Sequence, residues 1–146
     1  MLAIKEKWTQ DRFENRTILT VFLPLRSSCF LSNTLKGRFM PELIFRQPDG
    51  TSRPVTTETG GSVMQAAIRS NIRGIEAECG GACACATCHI YIAPEYLDCV
   101  PAPRQDEEEM LDGVCAERKE GSRLSCQITV TDALDGIIID VPDRQY

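Results

Sequence analysis

Histidine and tryptophan occur once each in this chain, as His89 and Trp8, and aromatic residues make up only 6% of it. No residues form a nucleophile with its base or a general acid-base pair, so the chain is not expected to be an enzyme. A basic excess is also missing. With a formal charge of -5 the chain lacks the positive face a nucleic-acid binder turns to phosphates, and basic partners are favoured. Nor is there an apolar run long enough to span a bilayer. The nearest candidate, "TILTVFLPLRSSC", is broken by Pro24 and Arg26 and lacks a small-residue cleavage pattern. Arg26 also makes Cys29 a poor lipoprotein site, and Glu6, Asp11 and Glu14 argue against a mitochondrial address. The expectation is a cytoplasmic monomer without membrane or nucleic-acid partners.

What is present suits one ordinary domain: 146 residues, 42% of them hydrophobic, with no internal repeat or low-complexity run. Charge divides the chain in two. Residues 1–39 hold 7 Lys/Arg against 3 acids, leaving 9 basic and 18 acidic residues for 40–146. Residues 1–39, with Trp8 and Cys29, read as a dispensable extension, and Met40 as the natural start of the domain 40–146.

From Met40 the pattern is that of short elements. "ELIFRQ", "PDG" and "SRPVTT" read as a hairpin, with Pro54 placing the return strand near an edge. "GSVMQAAIRSNI" predicts a helix capped by Ser62, with Val63, Ala66, Ala67 and Ile68 on its apolar face and Gly74 at its exit. "HIYIA" returns to strand periodicity, and "RQDEEEMLDG" is a brief acidic helix ended by Gly113. "SCQITV" and "GIIIDV" complete a β-β-α-β-α-β-β order, a small α+β fold with a mixed sheet covered by one main helix.

Eight cysteines could suggest a disulfide framework, but the chain is longer than such scaffolds usually are and shows no secretion signal. Their clustering reads as metal ligation instead. In "ECGGACACATCHIYI" the spacing C-x5-C-x2-C supplies Cys79, Cys85 and Cys88; a fourth ligand could come from Cys99, Cys115 or Cys126. Two irons bridged by two sulfides need two terminal thiolates each, three from a wrapped loop and one from elsewhere. Such a cluster is anionic, and "GGACA" offers backbone N–H groups, permissive Gly80 and Gly81, and uncrowding alanines. Tetrahedral zinc would call for a second close pair downstream of Cys88, and there is none. A thioredoxin-like pair at Cys85 and Cys88 lacks a surrounding βαβ pattern. His89 alone cannot make a Rieske centre, which takes two histidines on one iron.

On this spacing, and on "CATCH", "DEEEMLD", "SRLSCQI" and "DGIIIDVPDRQY", the segment 40–146 resembles the adrenodoxin and putidaredoxin type of 2Fe-2S ferredoxin. The tail is nearest to the bacterial camphor-type carriers, with Tyr146 where those end in Trp. The resemblance implies a β-grasp fold and one 2Fe-2S cluster on Cys79, Cys85, Cys88 and Cys126. It also implies one-electron traffic from an FAD-containing, NAD(P)H-dependent ferredoxin reductase to a bacterial cytochrome P-450. The acidic run Asp106, Glu107, Glu108, Glu109 and Asp112 is then a docking face, although the camphor-type pattern has Arg at position 106. Glu78 and Tyr146 are second contact points. Cys83 sits where the cluster-assembly ferredoxins often have Cys, which leaves iron-sulfur cluster biogenesis as the alternative function. A small residue filling loop space is the favoured reading of Cys83. Cys99 and Cys115 are expected to be small buried hydrophobes. His89 is expected to hold the cluster loop to the sheet by bonding nearby backbone.

Overall fold

A computed structural model of the chain describes residues 39–145. The expected extension, apart from Phe39, and Tyr146 lie outside the described residues. Seven elements follow the expected order: β1 (Glu42–Arg46), β2 (Ser52–Thr56), α1 (Val63–Arg69), β3 (His89–Ile92), α2 (Gln105–Leu111), β4 (Ser122–Leu124) and β5 (Ile138–Asp140). The strands form one sheet in the order β2-β1-β5-β3-β4. Only the β1–β5 pairing is parallel, and the other three are antiparallel. This is a mixed-sheet α+β fold of the β-grasp type, as expected.

Alternation in β1 buries Leu43 and Phe45 on the core face, with Glu42 and Arg46 exposed. They meet Val63 and Ala67 of α1, Ile90 of β3, Leu124 of β4 and Ile139 of β5 in one contiguous core. Gly121, just before β4, is required by close approach: a Cβ there would lie 2.2 Å from the Ile92 carbonyl oxygen. The ends of β3 and β4 could not pack as they do around any larger residue.

Helix α1 begins as expected. The Ser62 side chain accepts from the Gln65 N–H while the Gln65 side chain accepts from the Ser62 N–H, a reciprocal capping box. Its apolar face differs in one member. Ile68 is 44% exposed, and Met64 is buried instead beside Ala67, one turn on. The helix also ends before Gly74, at Arg69, where Asn71 takes a left-handed φ of +52°.

The predicted strand "SCQITV" is displaced. Strand β4 occupies the three residues before it, and Ser125–Gln127 form a 3-10 turn that carries Cys126 out of the sheet. Ile128 and Val130 then pair with the entrance of α1: the Val63 N–H donates to Ile128 O and the Val130 N–H to Gly61 O. Among the described residues no helix is long and apolar enough to cross a membrane.

Candidate iron-sulfur site

The loop between α1 and β3 folds through repeated left-handed residues: Ala77, Gly80, Gly81, Cys83 and Ala86 all have φ between +53° and +99°. Such reversals turn successive N–H groups toward one side and make an anion-binding concavity. Gly81 shows why glycine is used there. A Cβ would make only ordinary contacts, 3.5 Å from Met64 Cε and 3.6 Å from Cys126 Cβ, so its φ of +99° is what other residues resist.

Into this concavity come four sulfurs. The Cys79 thiol is held down to about 7, first by the Ala84 N–H and then by the Cys85 thiol. Cys85 Sγ receives the Cys79 N–H at 3.3 Å and meets Thr87 Oγ1 at 3.1 Å. Cys126 is held down to about 6, first by the Cys88 thiol and further by the Gln127 amide and the Cys83 N–H, against an opposing effect of burial. The Cys88 thiol, which donates in that pair and is buried, is pushed up. The sulfurs thus fall into two pairs, Cys79 with Cys85 and Cys88 with Cys126. Among the described residues, no three His, Cys, Asp or Glu side chains gather to hold a single ion. Two thiol pairs in an N–H-lined cradle fit a 2Fe-2S cluster, which takes two thiolates per iron.

The fourth cysteine is brought in by two bonds to one acceptor. Both the N–H and the hydroxyl of Ser125 donate to Cys88 O, at 3.0 and 2.8 Å. On the outer side of the loop Ala82 and Ala84 are exposed, so the site lies just beneath the surface.

Of the remaining cysteines, Cys83 is half-buried in the loop with its thiol pushed up chiefly by burial. Cys99 is disulfide-bonded and only half-buried against the core, contrary to the expectation of a small buried hydrophobe. Cys115 is exposed, contrary to the expectation of a buried hydrophobe. Its neighbour Ala116 takes the buried position in that turn.

His89 is fully buried, and its ring bonds a side chain rather than the expected backbone. Nε2 lies 3.0 Å from Ser122 Oγ on β4, and Ser122 Oγ in turn accepts the Lys119 N–H at 2.8 Å. Burial, with a smaller effect of Lys119, pushes its imidazole down to about 4. The His89 backbone does tie the loop to the sheet, because its N–H donates to Ala86 O while its carbonyl accepts from Gln145 Nε2.

The acidic helix separates by face. Asp106, Glu109 and Asp112 are exposed, and so is Glu78 beside the first cysteine. Arg118 pairs with Glu108 and Asp112, and Arg104 stands 3.6 Å from Asp106. Glu107 does not belong to this face. It is 1% exposed, receives Nε and Nη2 of Arg123 at 2.8 and 3.1 Å, and takes the Leu124 N–H at 2.9 Å. Arg123 spends its third bond on Pro101 O. Helix α2 is thereby clamped to β4, two residues before Ser125. Thr87, Ser125, Gln127 and Arg123 were not singled out from the sequence, where isolated polar residues carry no periodicity to mark them.

A β-grasp sheet bearing such a cysteine cradle defines the class of 2Fe-2S ferredoxins. Residues 46–131 match the family described as the 2Fe-2S iron-sulfur cluster binding domain, and the chain belongs to it. It is 54% identical to ferredoxin CarAc of Sphingomonas sp over 103 residues, 70% of this chain and 94% of the relative. Putidaredoxin of Pseudomonas putida is 47% identical over 107 residues, 73% of this chain and all of that one. A crystal structure of reduced putidaredoxin from that organism superposes with a TM-score of 0.70, covering 72% of this chain and 99% of that chain. A covalent complex of putidaredoxin reductase with putidaredoxin contains a chain 48% identical to this one, with a TM-score of 0.69 over 70% of this chain and 99% of that chain. The chain is a ferredoxin of the putidaredoxin type, an electron-transfer protein rather than an enzyme, and carries one 2Fe-2S cluster.

Proposed function

We propose that the chain takes single electrons from an NAD(P)H-dependent, FAD-containing ferredoxin reductase and delivers them to a bacterial cytochrome P-450. The observation that carries this reading is the 48% identity to a putidaredoxin captured with its reductase. The tail "VPDRQY" supports the oxygenase end of the path, because a terminal aromatic after that sequence belongs to the camphor-type resemblance. In this reading Cys79, Cys85, Cys88 and Cys126 hold the cluster, domain 40–146 is sufficient for transfer, and the monomer works in the cytoplasm. When bound, the cluster accepts and releases one electron. The chain's own residues would surround it with N–H donors that offset its negative charge, in a loop whose residues Ala82 and Ala84 are exposed to solvent.

Docking is assigned to Asp106, Glu109 and Asp112 on α2, with Glu78 and Tyr146 as second contacts and Glu107 withdrawn from the set. Exposed charge of one sign speeds encounter with a basic partner without requiring a large apolar interface. The test is stopped-flow reduction by such a reductase across a salt series. Asp106→Asn with Glu109→Gln should slow the low-salt rate roughly tenfold and flatten its salt dependence, since screening acts over about 8 Å at physiological ionic strength. Unchanged rates and slopes would remove α2 from the docking surface. Transfer onward to a cluster-assembly partner but not to a P-450 would overturn the reading of the acceptor.

A further inference from the structure

Gln127 directly follows Cys126 and uses every polar atom of its side chain. Nε2 lies 3.1 Å from Cys126 Sγ and 3.4 Å from Gly81 O, while Oε1 accepts from Arg104 Nη2 at 2.6 Å. The orientation of this amide is forced. A guanidinium can only donate, so it must face the carbonyl oxygen. Reversing the amide would set donor against donor at Arg104 and acceptor against acceptor at Cys126 and Gly81. Arg104 is itself the N-cap residue of α2, exposed, with Asp106 3.6 Å away. A continuous polar path therefore runs from the proposed docking face, through Arg104 and Gln127, to one sulfur.

We propose that the Gln127 amide raises the reduction potential of the cluster by donating to Cys126 Sγ, and that Arg104 is the positioning residue that holds and polarises that amide. The proposal rests on Cys126 being a cluster ligand. Reduction adds one negative charge that spreads onto the sulfurs, so an N–H donor stabilises the reduced form more than the oxidised one. The bond from Arg104 to Oε1 is charge-assisted, and pulling electron density toward the carbonyl strengthens the opposite N–H as a donor. Most other donors to these sulfurs are backbone N–H groups fixed by the loop. Gln127 is a donor that one substitution can remove.

The experiment measures midpoint potentials by spectroelectrochemistry on holoprotein, with iron and sulfide analysis, for Gln127→Met, Arg104→Ala and the double variant. Gln127→Met keeps the length of the side chain and deletes its N–H donors. Its midpoint should move to more negative values, with the reduced-to-oxidised ratio at fixed poise falling on the order of tenfold, about 59 mV for one electron. Arg104→Ala should shift the midpoint the same way in the parent protein but scarcely at all in the Gln127→Met background. An intact cluster with an unchanged midpoint in Gln127→Met overturns the role of the amide. Equal Arg104→Ala shifts in both backgrounds overturn positioning and reduce Arg104 to a surface charge. Should Gln127→Met assemble no cluster, Gln127→Glu keeps the bond to Arg104 and removes both donors; an unchanged midpoint there overturns the proposal equally. Cys126→Ser run in parallel separates the two readings: full iron content and an unaltered spectrum in that variant refute the ligand assignment itself. Loss of its cluster, with an unmoved midpoint in the Gln127 variants, refutes only the tuning.

Discussion

Glu107 and its neighbours look alike in sequence and behave as opposites in the fold. Asp106 is solvated, whereas Glu107 lies inside a bidentate pair with Arg123 and caps the Leu124 N–H. Removing one partner of a buried pair strands the other charge, which costs about 3–5 kcal/mol. Glu107→Gln should therefore lower the unfolding midpoint by about 3 kcal/mol of stability or more. Asp106→Asn should stay within about 0.5 kcal/mol. Denaturant unfolding followed by circular dichroism compares them, and equal midpoints would mean that the clamp contributes nothing. The gathering of three cysteines in one loop was legible, because short fixed gaps hold them close along the chain. The inward turn of Glu107 was not, since it depends on an arginine sixteen positions later that the sequence does not mark as its partner.

At the scale of elements, local chemistry was the reliable guide. Ser62 and Gln65 announce the start of α1 through a capping pattern written in four adjacent residues. Ser62→Ala should cost about 1 kcal/mol, because it leaves the Gln65 N–H without its acceptor. Ser62→Asp should restore most of that in the same melting measurement, and an unchanged midpoint in Ser62→Ala would show that the cap is idle. Strand "SCQITV" was misplaced for a physical reason. Buried Ile128 and Val130 do alternate with Gln127 and Thr129, as in a strand, but their backbone partners are Gly61 and Val63 rather than a sheet neighbour. Period two in a sequence reports burial on one side; it does not name the partner. The displacement also has a use, since the 3-10 turn it makes room for delivers Cys126 to the cradle and Gln127 to its sulfur.

For the whole molecule, we propose from the division of charge in the sequence that the working unit begins at Met40. A chain starting there should bind the same cluster, show the same visible spectrum and accept electrons from the reductase at the same rate; loss of the cluster would show that residues 1–39 belong to the core. The central claim is narrower: two thiol pairs, Cys79 with Cys85 and Cys88 with Cys126, hold one cluster that carries one electron. It is tested most directly by anaerobic reductive titration with iron and sulfide analysis, on the parent protein and on the Ser variants of Cys79, Cys85, Cys88, Cys126, Cys83 and Cys115. The account predicts two irons, two sulfides and one electron per chain in the parent, Cys83→Ser and Cys115→Ser proteins, with loss or gross alteration of the cluster in the other four. A full complement of iron, sulfide and electron uptake in Cys126→Ser would contradict it.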